Sequence, residues 1–121
     1  MSRLFFLIAL GGVLGSVSRF GISYLIRQYL HSFSLGTLIA NLIGCFLVGV
    51  LYALSQHYHS LSAEIRYLGI IGFCGSFTTF STFALENLAF IQKGQFFTFA
   101  AYFLLSSILG IASVYIGLRV S

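Results

Sequence analysis

Between Gly72 and Phe83 the chain reads GFCGSFTTFSTF, which sets glycines, hydroxyls and phenylalanines in the middle of an apolar segment. Gly72 and Gly75 weaken a helix there, and the hydroxyls of Thr78, Thr79, Ser81 and Thr82 compete for its backbone groups. The run therefore predicts a helix break around Gly75–Thr79. A break frees carbonyls on one half-helix and N–H groups on the other. Freed carbonyls suit a hard cation such as Na⁺, and freed N–H groups at the start of a half-helix favour an anion. Inside a bilayer, irregular backbone is tolerated only where it is buried in protein or lines a cavity. The chemistry these residues point to is ion binding or ion passage.

Other polar residues sit at related depths. Phe80 and Phe83 stand three apart and share a helix face. Rings at that spacing commonly meet lipid or core, but their edges carry positive partial charge, so two edges at a narrow pore would accompany an anion without holding it. Glu86, one turn beyond Thr82, is a carboxyl within an apolar run. It is a functional candidate for that reason, or else an acceptor for hydroxyls near the helix end. Asn41 follows Thr37 by one turn and shares its face. Its amide is either interhelical glue, worth about 0.6–2 kcal/mol, or a pair of donors turned toward an anion. Tyr102, Ser106 and Gly110 recur at four-residue spacing. The first two make a short polar stripe, which hydroxyls bonded back to their own backbone would also give. Arg19 lies roughly 10 Å inside the end of the first apolar run at 1.5 Å per residue. It either snorkels to the interface or faces an aqueous vestibule and attracts anions, at an insertion cost of about 3 kcal/mol.

The elements that must position these groups are the apolar runs Leu4–Ile26, Leu35–Leu54, Ile65–Ile91 and Phe96–Leu118. Each reaches the ~20 residues needed to cross ~30 Å of hydrocarbon. With 121 residues, 59% hydrophobic and 7% charged, and a mean hydropathy of +1.02, no soluble domain this small buries so much apolar surface. The expected fold is an all-α membrane protein with four transmembrane helices, the third broken near its middle, forming a single domain over residues 1–121. The first run passes beyond the ~7–15 apolar residues of a cleaved signal peptide. Ser34 and Ser62 are expected N-caps of the second and third helices, with Glu64 near the positive end of the third. Gly11-x₃-Gly15, Gly12-x₃-Ser16 and Gly36-x₃-Ala40-x₃-Gly44 place small residues on one face, which lets backbones approach closely. Four short helices enclose little interior volume, so an oligomer is expected.

Charge says little about partners and more about topology. A net charge of +4 without a basic patch excludes a nucleic-acid binder. Four crossings put both termini on one side with Arg3, Arg66 and Arg119, against Arg27 and Lys93 on the other. Arg and Lys in short loops set orientation, and so slight a bias allows insertion both ways and antiparallel pairing of two copies. Cys45 and Cys74 lie in apolar runs and read as small buried hydrophobes. His31, His57 and His59 fall in loops and read as solvated.

Taken together, Gly12–Phe20 ending in Arg19-Phe20, Gly36–Gly44 reading GTLIANLIG, and Gly72–Phe83 resemble, in order and spacing, the Fluc (CrcB) fluoride channel family over the full chain. The resemblance implies a dual-topology homodimer in the lipid bilayer, with two antiparallel pores and a structural Na⁺ at the dimer centre. It further implies that backbone carbonyls matching Gly75 and Thr78 hold that ion. Phe80 and Phe83 match the pore phenylalanines and Asn41 the pore asparagine. Thr37, Ser81, Thr82, Glu86, Tyr102 and Ser106 match polar positions along the route, and Arg19 matches the vestibule arginine. Two departures stand out. Gly110 occupies a position where a serine can extend the polar track, and Phe77 is bulkier than the small or aliphatic residue expected, which leaves its direction open.

The expected function is passive export of fluoride across a bacterial-type inner membrane, protecting the cell from fluoride that enters as HF. F⁻ needs close donors to replace its water, and pore width with fixed dipoles can select it without any catalytic group. The alternatives are a proton-coupled small multidrug-type exporter and a non-transporting membrane assembly protein. The exporter needs a carboxylate deep in the first helix, which has none, and the assembly protein would not need Asn41 and the hydroxyls along one route. No nucleophile–base set suggests an enzyme.

Overall fold

Long apolar runs without proline leave the backbone no economical partner but itself, and the result is helix nearly throughout. A computed structural model describes residues 1–30 and 33–120; His31 lies outside the described residues. Helix α1 spans Ser2–Leu30 and α2 spans Phe33–His57. A 3₁₀ turn at His59–Leu61 leads into a π-helix, π1, over Glu64–Cys74. A short helix α3 covers Gly75–Phe77, α4 covers Ser81–Gln92, and α5 covers Phe96–Val120. Four stretches, Ser2–Leu30, Ser34–His57, Glu64–Gln92 and Phe96–Val120, are long and apolar enough to cross a membrane. The chain is a multi-pass membrane protein built from helices.

The glycine spacings of α1 work against π1. A Cβ on Gly11 would overlap the Leu68 carbonyl and lie 3.0 Å from Gly72 Cα, and one on Gly15 would overlap the Phe73 carbonyl. Backbone therefore meets backbone, the close approach that small residues permit in lipid. On α2, Gly36 lies against the Ser23 backbone and Gly44 against Thr78 and Phe77. A further approach lies outside the noted spacings: a Cβ on Gly49 would sit 2.9 Å from Leu118 N, and one on Gly117 would sit 3.0 Å from Val50 N. This contact seats α5 on α2.

Among the described residues, the buried apolar side chains are Ala40, Cys74, Phe77, Phe83 and Tyr102. Most other large apolar side chains face outward, as a bilayer solvent allows. Phe77, 2% exposed, turns into the core and stacks on Phe73 with ring centroids 5.4 Å apart. That answers the direction its bulk left open.

Two expected caps are not caps. Ser34 lies inside α2, which begins at Phe33. Ser62 closes the 3₁₀ turn, its N–H donating to the His59 carbonyl, whereas Glu64 does stand in the first turn of π1, where it also pairs with Arg3. The strongest local terminator is at α4. Gly94 adopts φ +74°, its N–H donates to the Ile91 carbonyl at 3.0 Å, and the Gln95 N–H donates to the Phe90 carbonyl at 2.8 Å. These are the paired bonds of a Schellman ending, which favours glycine at the left-handed position. They turn the chain tightly into α5.

Candidate functional site

The site is built around the stretch that joins α3 to α4. Both the N–H and the hydroxyl of Thr78 donate to the Cys74 carbonyl, at 3.0 and 2.9 Å, and Thr78 then leaves helical geometry with φ −85° and ψ 158°. The next residue turns its backbone to another helix. The Thr79 N–H donates to Asn41 Oδ1 at 2.9 Å, and Asn41 Nδ2 donates to the Thr79 carbonyl at 3.2 Å. The Thr79 hydroxyl accepts the Thr82 N–H at 3.2 Å and lies 3.3 Å from Ser81 Oγ, so it caps the start of α4 as an N-cap side chain does. In a continuous α-helix the Thr79 and Thr82 N–H groups would serve the carbonyls of Gly75 and Thr78. Here side-chain oxygens take both donors.

Behind this stretch, three elements meet at one carboxyl. Thr37 Oγ1 of α2 donates to Glu86 Oε2 at 2.8 Å, and the Tyr102 hydroxyl of α5 donates to Glu86 Oε1 at 2.6 Å. Thr37 and Tyr102 are buried. Tyr102 also packs on Phe83, ring centroids 5.1 Å apart, and Phe83 lies 5.9 Å from Phe103. Asn87 is buried on the same helix and donates to the Phe83 carbonyl at 2.9 Å. The Phe83 ring is thus packed between Tyr102 and Phe103.

A groove of about 400 Å³ opens between α2, α4 and α5. Asn41, Thr78, Thr79, Phe80 and Phe83 line it together with Cys45, Ser106, Ser107 and Gly110. None of the lining residues carries a charge. Phe80, 75% exposed, stands at the mouth, with its ring centroid 5.9 Å from that of buried Phe83. Ser106 Oγ is buried without a hydrogen-bond partner among the described residues, whereas Ser107 bonds back to the Phe103 carbonyl at 2.9 Å. At Gly110 a Cβ would meet only Cys45 Sγ, at 3.6 Å; the missing serine there leaves room in the groove wall.

Asn41, Thr78, Phe80, Phe83 and Ser106 thus share one groove. Thr37, Glu86 and Tyr102 share one hydrogen-bonded cluster, joined to the groove through Phe83. Ser81 and Thr82 flank Thr79. Arg19 lies elsewhere, its Nε donating to the Ser76 carbonyl at the end of α3, at 3.1 Å. Gly75 is exposed. The glue role weighed for Asn41 is visible in its two bonds to Thr79, and its nitrogen carries a second hydrogen besides. Thr79 and Asn87 are the residues sequence reasoning did not select. Thr79 was one hydroxyl in a row of four with nothing to single it out, and Asn87 gave no signal.

The sequence pattern of the family described as "CrcB-like protein, Camphor Resistance (CrcB)" matches residues 6–118. The chain belongs to the CrcB family. Among curated relatives, a protein of Azobacteroides pseudotrichonymphae is 44% identical over 97% of this chain and 94% of its own length. One from Leptospira interrogans is 40% identical over 96% of this chain and 92% of its own. A third, from Salinibacter ruber, is 46% identical over 91% and 83%. Each of these CrcB relatives carries the name fluoride-specific ion channel FluC.

Proposed function

We propose that this chain is a passive, fluoride-specific ion channel, not an enzyme, that releases F⁻ across a bacterial-type inner membrane and protects the cell from fluoride. The observation that carries this is the meeting of the Asn41 amide with the rings of Phe80 and Phe83 in one uncharged groove, in a chain whose relatives bear the fluoride-channel name. F⁻ is small and strongly hydrated, so close donors must replace its water. The second N–H of Asn41, the hydroxyls of Ser81 and Ser106 and the first turn of α4 offer such donors. The positive ring edges of Phe80 and Phe83 follow the ion without trapping it, and the narrow gap they leave disfavours larger halides. Arg19, anchored on Ser76, draws anions toward the vestibule. Thr37 and Tyr102 donate to Glu86, and passage along that stretch turns one of these hydroxyls from the carboxyl to the anion. Thr82 lies on the same track.

In this account Thr78–Phe80 interrupts the third span, and two oppositely inserted copies pair as an antiparallel homodimer with two pores. The near balance of Arg3, Arg66 and Arg119 against Arg27 and Lys93 supports dual insertion. The exposure of Gly75 and Phe80 supports a partner surface at the interruption. A structural Na⁺ at the dimer centre would be held by the Gly75 and Thr78 carbonyls. These fit the ion, because side chains have taken their helical donors and exposed Gly75 leaves room for oxygens from the second copy. When bound, the cation supplies a fixed positive charge that offsets the carbonyl dipoles facing it.

Expression in a bacterial strain stripped of its own fluoride export tests the physiological role. Growth in fluoride medium should be restored by the chain and not by Phe80→Ile. Equal growth arrest with and without the chain, at verified membrane expression, would refute it.

A further inference from the structure

We infer that Asn41 and Thr79 are positioning residues that keep the Gly75 and Thr78 carbonyls open, so that one carboxamide serves the anion groove and the cation site together; this rests on the Na⁺ site proposed above. The Gly75 carbonyl lacks its helical donor because Asn41 Oδ1 holds the Thr79 N–H at 2.9 Å. The Thr78 carbonyl lacks its own because the Thr79 hydroxyl holds the Thr82 N–H at 3.2 Å. Asn41 Nδ2 grips the Thr79 carbonyl as well, at 3.2 Å, so the Thr79 backbone cannot swing back toward Gly75 without losing both bonds to Asn41. In a water-poor site a released N–H seeks the nearest acceptor. In a continuous helix those two donors would serve the Gly75 and Thr78 carbonyls.

The two functions of Asn41 use different atoms. Its Oδ1 holds an N–H away from Gly75 and one amide hydrogen steadies the Thr79 carbonyl, which leaves the second amide hydrogen for the anion side. Asn41→Asp keeps an acceptor for the Thr79 N–H and loses the amide donors. Asn41→Ala loses both. Thr79→Val removes only the hydroxyl that holds Thr82, leaving the backbone of residue 79 free to keep Asn41.

The test measures thermal unfolding midpoints of the full-length protein in detergent, titrating NaCl against KCl at constant ionic strength. Binding to the folded state alone raises the midpoint with ligand concentration. The wild type should be stabilised by Na⁺ over K⁺. Asn41→Ala and Thr79→Val should need roughly two- to tenfold more Na⁺ for half the rise, the factor that one re-formed hydrogen bond on a carbonyl ligand gives. Asn41→Asp, which keeps the acceptor for the Thr79 N–H, should need less added Na⁺ than Asn41→Ala while fluoride flux falls. A wild-type Na⁺ response in Asn41→Ala, with flux lost, would overturn the inference and leave the channel standing. If Asn41→Ala does not fold, Thr79→Val decides: an unchanged Na⁺ response there overturns it equally. A wild type indifferent to Na⁺ removes the cation site and this assignment with it, whereas fluoride flux still judges the channel separately.

Discussion

Asn41 on α2 holds both backbone polar groups of Thr79, accepting its N–H at 2.9 Å and donating to its carbonyl at 3.2 Å. A carboxamide offers an acceptor and a donor side by side, so it pairs with a peptide as a neighbouring strand would. An unpaired peptide at membrane depth costs several kcal/mol, and this pairing satisfies both backbone groups of Thr79 between α3 and α4. It also places Asn41 beside Phe80 and Phe83 in the groove.

Because that groove is the proposed anion path, substitutions within it should act on flux before they act on assembly. Asn41→Asp puts a carboxyl where an amide donor stood, and Phe80→Ile removes an exposed ring edge. Each should slow fluoride release at least about tenfold, the factor that ~1.4 kcal/mol of added barrier gives. Size-exclusion profiles should stay those of wild type. Normal flux in both would take these residues out of the path.

The contact of α2 with α5 predicts a stability effect independent of flux. Gly117→Leu forces a side chain into the Phe46 carbonyl and to within 3.0 Å of Val50 N, an overpacking that costs about 1–3 kcal/mol. A Cβ on buried Gly110 would meet only Cys45 Sγ, at 3.6 Å, so Gly110→Ser should cost much less than Gly117→Leu. Unfolding midpoints in detergent would check both, and equal midpoints for the two variants would contradict the packing described.

Tyr102→Phe removes the 2.6 Å bond to Glu86 while leaving the ring on Phe83. The loss should be about 1 kcal/mol, between the averages for bonds inside membranes and bonds in water. A double-mutant cycle with Glu86→Leu, which removes the acceptor, should show coupling between the two positions. Strict additivity would mean that the bond carries no energy.

Much of this was readable from residue types alone. Four spans followed from run length, because lipid demands internally satisfied backbone, and the small-residue faces of α1 and α2 marked real close contacts. Helix caps were not readable: α2 starts before Ser34, and Ser62 closes the 3₁₀ turn ahead of π1. Phe77 had no periodicity to fix its side, and packing against Phe73 and Gly44 decided it. The candidate residues were recognisable singly, but their bonds were not. The partner of Asn41 is set by how α2 crosses the start of α4, a relation that no local spacing encodes. Thr79 stayed hidden for the same reason, since its importance comes from what reaches it.

Opposite insertion of two copies predicts a labelling pattern. With Cys45 and Cys74 replaced by alanine, a single cysteine at exposed Gln95 should react with impermeant reagents from both sides of the membrane. Each side should reach about half of the protein, because slight Arg/Lys bias leaves orientation undecided. Labelling confined to one face would exclude the antiparallel dimer.

Liposomes loaded with equal KF and KCl test whether the protein passes fluoride selectively. Fluoride and chloride electrodes follow release from vesicles carrying the purified protein once valinomycin lets K⁺ leave. Rapid fluoride release with chloride retained is the predicted result; release of both ions alike, or of neither beyond protein-free vesicles, would contradict it.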